Sequence, residues 1–166
     1  MYKTITIGGK DYRMEFTMEA SLCSECVEKT IQFITQTAAA QDINLDGLTD
    51  DEAGKALQNS LNKVSSGMSG IAKTAMSMWY AGFLEYHGTQ GDRTVLSMED
   101  AKNLFRKYHE EHPDDSSFFD IVRICTEQMG EDGFFKLIGL DKMLTPATRP
   151  KKVPQDHKRK KATETV

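Results

Sequence analysis

Tyr2-Lys3-Thr4-Ile5-Thr6-Ile7-Gly8-Gly9-Lys10-Asp11-Tyr12-Arg13-Met14-Glu15-Phe16-Thr17-Met18 is the stretch that decides the class of fold. Ile5 and Ile7 alternate with Thr4 and Thr6, and Tyr12, Met14, Phe16 and Met18 alternate with Arg13, Glu15 and Thr17. Alternation at period two places the apolar set on one face of a strand. Gly8-Gly9 between the runs supplies the positive φ that a tight hairpin turn requires. Residues 2–18 are therefore read as a β-hairpin. An isolated hairpin is marginal in water, so its apolar face must rest on helices.

The rest of the body repeats at three- and four-residue steps. Residues 19–40 read as one helix, with Leu22, Cys23, Cys26, Val27, Thr30, Ile31 and Ile34 on its stripe and Glu25, Glu28, Lys29 and Gln32 opposite. A loop follows, and Thr49 with Glu52 forms a capping box that opens a second helix carrying Ala53, Ala56, Leu57, Leu61 and Val64. After a Ser/Gly-rich break, residues 71–86 make a third helix, the most apolar segment and so the central one. Ser97 caps a fourth helix that runs through Tyr108, with Glu99 and Asp100 in its first turn and Pro113 beyond its end. Ser116 or Ser117 opens a fifth helix with Phe118, Ile121, Val122, Cys125 and Met129, and Gly130 is its expected stop. Residues 133–144 form either a short final helix or an apolar strap.

Composition changes at about Thr145. Residues 145–166 hold Pro146, Pro150 and Pro154 and seven basic residues against two acidic ones, a net charge of +5. The whole chain is −4, so residues 1–144 sum to −9. So polar a segment cannot bury enough apolar surface to offset its ordering entropy. The expected architecture is mainly α (α+β): a hairpin over residues 2–18 packed on a compact bundle of about five helices within one folded domain, residues 1–144, then a disordered basic tail over residues 145–166. No apolar stretch suits a signal peptide or a membrane helix. Three cysteines and nine methionines fit a reducing cytoplasm better than a disulfide scaffold. The acidic body argues against general nucleic-acid binding, which leaves that role to the tail alone.

No catalytic constellation stands out. Cys23-Ser24-Glu25-Cys26 has redox or zinc spacing, but the pair is placed about a turn inside its helix, away from the helix N-terminus that activates a thiol. His109 and His112 would complete four zinc ligands, yet nothing in the sequence forces the two pairs together. Burial on the helix stripe is the favoured reading of both cysteines. Asp42-Ile43-Asn44-Leu45-Asp46-Gly47 matches the first half of a calcium loop, but the twelfth position is Ala53 where a bidentate carboxylate belongs. A polar interhelical loop is favoured there. His87, His109 and His112 are assigned to solvent or helix-end contacts. Adjacent aromatics point about 100° apart on a helix, so one ring of Phe118-Phe119 and one of Phe134-Phe135 can lie outside the core as an anchor for a partner. Core packing is the competing reading. The basic tail suits RNA, DNA or an acidic protein, or serves only for solubility.

The N-terminal hairpin, the helical body and the Lys-rich end together resemble the layout of tail assembly chaperones of long-tailed phages. Ser116-Ser117-Phe118-Phe119-Asp120-Ile121-Val122-Arg123-Ile124-Cys125-Thr126-Glu127-Gln128-Met129-Gly130-Glu131-Asp132-Gly133-Phe134-Phe135 also resembles phage or prophage proteins of Gram-positive hosts. The resemblance implies a non-enzymatic protein of the host bacterial cytoplasm, absent from the mature virion and needing no cofactor. It implies transient binding of the tape measure protein before tail-tube subunits polymerise, with further copies of the chain or the tail-tube subunits as additional partners. Such proteins are often made in two lengths by frameshifting, and Lys151-Lys152 and Lys160-Lys161 are compatible with slippery codons. Chaperoning needs exposed apolar surface, for which Phe119, Phe134 and Phe135 are the candidates, with Lys151, Lys152, Arg159, Lys160 and Lys161 in the tail. Nine methionines would let such a surface adapt. Two rivals remain: a small phage-encoded inhibitor or adaptor of a host protein or nucleoprotein complex, and an enzyme or metal-dependent regulator using the cysteine pair or the Asp42 loop.

Overall fold

The computed structural model describes residues 1–41 and 70–140. The loop at Asp42, the helix expected from Thr49 and the basic tail lie outside the described residues. Within them the chain is mainly α, with an antiparallel N-terminal hairpin and six helices.

Strands β1 (Lys3–Ile7) and β2 (Lys10–Met14) pair Lys3 with Met14, Ile5 with Tyr12 and Ile7 with Lys10. Gly8 and Gly9 have φ of +61° and +73°, which non-glycine residues rarely adopt, so the two-residue turn depends on both. Ile5, Ile7, Met14 and Phe16 are buried as the alternation requires. Met18 breaks the pattern at 59% exposed. The chain has left the sheet by then: the N–H of Glu15 bonds the carbonyl of Gly82 (2.9 Å), and Thr17 is already the N-cap of a helix, α1 (Met18–Leu22).

The single helix expected over residues 19–40 is two helices. α1 ends at Cys23, whose ψ of 88° leaves the helical region, and α2 (Ser24–Gln41) restarts at once. Apolar period alone cannot show such a kink, because the stripe continues across it.

α3 (Ile71–His87) is central, as expected, and touches β2, α1, α2, α4 (Met98–Glu111) and α5 (Phe118–Glu131). Its Trp79 and Phe83 are fully buried and meet edge to face at 4.9 Å. Gly82 lets the hairpin approach: a Cβ there would lie 2.8 Å from Cγ of Met14 and 3.1 Å from Cζ of Phe16. Ser97 and Ser117 cap α4 and α5, each in a reciprocal box with the aspartate three residues on, Asp100 and Asp120. α5 runs past the expected stop at Gly130, and the left-handed residue is Gly133 (φ +70°), which precedes the four-residue α6 (Phe134–Leu137).

Candidate functional site

The sequence-chosen phenylalanines divide. Phe119 is 50% exposed, Phe135 is half-buried against the core and Phe134 is fully buried. Phe134 packs on Phe16 at 5.6 Å, so its assignment to an exposed contact surface is corrected: the ring faces inward across α6 and holds the end of the hairpin. Lys151, Lys152, Arg159, Lys160 and Lys161 lie outside the described residues.

Around Phe119 the start of α5 forms an aromatic ridge. The ring of Phe118 stacks on Phe105 of α4 (5.4 Å, 22° between planes), and Phe105 stacks in turn on His109 (6.0 Å, 21°). The Ser117–Asp120 box fixes the first turn on which both phenylalanines sit. The Ser117 hydroxyl, and then Arg123, hold the Asp120 carboxyl below the usual range, so it stays charged at the positive end of the helix dipole. A rigid turn that presents aromatic rings to water suits binding, since little side-chain entropy is lost on contact.

His87 and His109 are committed to other partners. His87 is buried, and its Nε2 accepts the N–H of Arg13 (2.9 Å), so the ring proton sits on Nδ1, which faces Asp92 Oδ1 at 3.1 Å. This aspartate–histidine pair has the outline of a general-base dyad, but the nitrogen that would take a proton is bonded to the main chain. The expectation of a solvent or dipole contact for His87 is thus replaced by a structural latch between α3 and β2. His109 Nδ1 lies 2.6 Å from Ser116 Oγ, while the buried Ser116 hydroxyl donates to the carbonyl of His112. That hydroxyl proton points away from the imidazole, opposite to the arrangement that activates a nucleophile.

Burial works against the charge of Asp92, yet hydrogen bonds from Thr94 and His87 outweigh it and bring the carboxyl down to about 2. A depressed carboxylate stabilises the fold above its unfolded value of about 3.9 and loses that contribution as pH falls through its folded value. Asp92→Asn is therefore expected to lower stability at neutral pH, where the carboxylate contributes in full, and to change it progressively less as pH falls toward about 2, which flattens the acid side of the stability profile. Urea unfolding at about pH 7 and about pH 3 measures this.

The kink at Cys23 moves the cysteine pair to the start of α2, nearer the redox position than the sequence indicated. Burial nevertheless pushes the Cys26 thiol up to about 12 and the Cys125 thiol well above its usual value. Neither supplies thiolate at neutral pH. Iodoacetamide at about pH 8 is expected to label the half-buried Cys23 alone in the native protein and all three cysteines after unfolding. Native labelling of Cys26 or Cys125 would contradict this environment. Among the described residues, no cluster of three or more His, Cys, Asp or Glu side chains is arranged to hold a metal ion, and no helix is long and apolar enough to cross a membrane.

Sequence reasoning missed a groove of about 300 Å³ along the outer side of β1, lined by Lys3, Thr4, Ile5, Thr6, Tyr108, His112 and Ile124. Nothing in a linear pattern couples these three elements. It also missed the exposure of Leu22 (70%), which periodicity placed on the buried stripe, and of Leu137 (49%). No family model matches the chain, and no curated protein or solved structure is significantly similar to it.

Proposed function

We propose that the protein is a binding module that acts as a tail assembly chaperone, holding a tape measure protein transiently during phage tail morphogenesis in the host bacterial cytoplasm and leaving before the virion is complete. The layout resemblance supplies the family. The observation that carries the reading is the exposed Phe118-Phe119 ridge at the start of α5, backed by Phe105. An aromatic pair on a rigid turn suits apolar segments of an aggregation-prone protein. Tail-tube subunits or further copies of the chain are secondary partners in this reading.

Phe119→Ala is the test. It removes a ring that the fold uses little, so the melting temperature should move by no more than about 2 °C. Affinity for the tape measure product, measured by titration calorimetry, should fall roughly 10- to 100-fold. Equal affinity for both proteins would overturn the role of the ridge.

The −9 charge of residues 1–144 favours a second reading, a phage-encoded inhibitor or adaptor that occupies a basic groove of a host protein or nucleoprotein complex. The DNA separates the two. A slippery heptamer at the tail lysine codons and a long tape measure gene downstream go with the chaperone, and placement among early genes goes with the inhibitor.

A further inference from the structure

The two edges of the hairpin are treated differently. The outer edge of β2 is occupied: the N–H of Arg13 bonds His87 Nε2 (2.9 Å) and that of Glu15 bonds the Gly82 carbonyl (2.9 Å). Arg13 pairs across the hairpin with Thr4, and Asp11 with Thr6, so Thr4 and Thr6 likewise turn their N–H and carbonyl groups away from the partner strand. On β1 that outer side borders the groove walled by Tyr108, His112 and Ile124. Among the described residues nothing bonds the main chain of Thr4 or Thr6 on this side, and the edge is closed only at the turn, where the Gly8 N–H donates to both carboxylate oxygens of Glu111 (2.8 and 3.1 Å).

We infer that the open edge of β1 takes an extended segment of a partner polypeptide as an added strand, with a basic residue at the end beside the Gly8-Gly9 turn. Two features choose this occupant. Unpaired main-chain groups at alternate residues are complementary to another strand's main chain, and the groove beneath gives that strand's inward side chains an apolar seat on Tyr108 and Ile124. The charge is lopsided as well. Glu111 sits at the turn end on Gly8, and the exposed Glu110, Asp114 and Asp115 flank it in the chain, so a lysine or arginine is favoured there. A second copy fits less well. The inward side chains of its own β1, Ile5 and Ile7, are already buried in its core and are not free to fill the groove. This goes beyond the chaperone reading, because it names a surface and a mode of contact that hold for whatever protein supplies the strand.

The probe is a synthetic peptide of alternating valine and threonine flanked by lysines, added to the full chain while amide exchange is followed by NMR. Thr4 and Thr6 should exchange freely at first and slow by about tenfold or more at saturation. A glutamate-flanked version should bind about tenfold more weakly, and a version N-methylated at alternate residues should not protect Thr4 and Thr6. Thr4→Pro removes one outward N–H without touching the β2 ladder, so the hairpin should persist while peptide binding is lost. The inference is overturned if the peptide does not bind, or binds without protecting Thr4 and Thr6. It is also overturned if both amides are protected in the free chain, which would place the chain's own residues on the edge, or if protection rises with protein concentration alone, which would place a second copy there.

Discussion

Trp79→Ala is expected to cost about 3–5 kcal/mol of stability, enough to leave a domain of ordinary stability close to unfolding. The indole is fully buried and packs on three rings at once: Phe83 at 4.9 Å, Tyr108 at 5.4 Å and Phe105 at 6.3 Å. Phe105 and Tyr108 belong to α4, so the cavity would open on the seam that also carries the aromatic ridge and one wall of the groove. Trp79→Phe tests a finer point. The indole Nε1 is buried without a hydrogen-bond partner among the described residues. Phenylalanine removes that unsatisfied donor, which relieves about 1–3 kcal/mol of desolvation cost and offsets much of the lost volume. Its net effect should stay within about 1–2 kcal/mol. Urea unfolding followed by circular dichroism measures both variants, since Trp79 is the only tryptophan and its fluorescence disappears with it. A loss for Trp79→Phe well above about 2 kcal/mol would mean that the indole N–H is satisfied.

Gly82→Val should cost about 2–4 kcal/mol by a different route. Its side chain would enter space held by Met14, at 2.8 Å from the new Cβ, and Phe16, at 3.1 Å, both fully enclosed. The hairpin would have to lift from α3, which strains the bonds from Glu15 to Gly82 and from Arg13 to His87. Gly82→Ala discriminates packing from helix propensity. Alanine gains about 1 kcal/mol as a helix former, but its Cβ would stand 2.8 Å from the buried Cγ of Met14, which must shift to admit it, so Gly82→Ala should still destabilise, by less than Gly82→Val. Loss of the Thr6 and Asp11 cross-strand contacts in NMR spectra of Gly82→Val, with the helical signal retained, would show that the hairpin has detached.

Much of this fold is legible in local chemistry. The alternation of Ile5, Ile7, Tyr12 and Met14 around two glycines leaves the hairpin little choice, Ser97 marks one helix start, and the choice between Ser116 and Ser117 for the next falls to Ser117 with Asp120. The apolar run around Trp79 marks the central helix because only a helix packed on several neighbours buries so much of its circumference. The kink at Cys23 is invisible because the apolar stripe crosses it unbroken. Met18 reads as a strand residue, since the N–H of Glu15 leaves the sheet for Gly82, a contact 67 residues away in sequence.

The candidate surface was less legible. Adjacent phenylalanines announce that one ring can be exposed, but which one depends on where the helix lands. Phe119 faces water, while Phe134 meets Phe16 across the molecule. His87 reads as an ordinary helix-end histidine until Arg13 is brought beside it from the hairpin. The groove along β1 depends on the meeting of the hairpin with α4 and α5, and no residue in it is unusual for its own element.

Co-expression with a tape measure protein, should one be encoded beside this chain, followed by size-exclusion chromatography, tests the proposed function most directly. Binding at the exposed aromatic ridge predicts that the tape measure protein stays soluble and co-elutes with this chain at a fixed ratio, and that Phe119→Ala releases it to aggregate. A tape measure protein that aggregates equally with and without this chain, or elutes apart from it, would contradict the chaperone assignment.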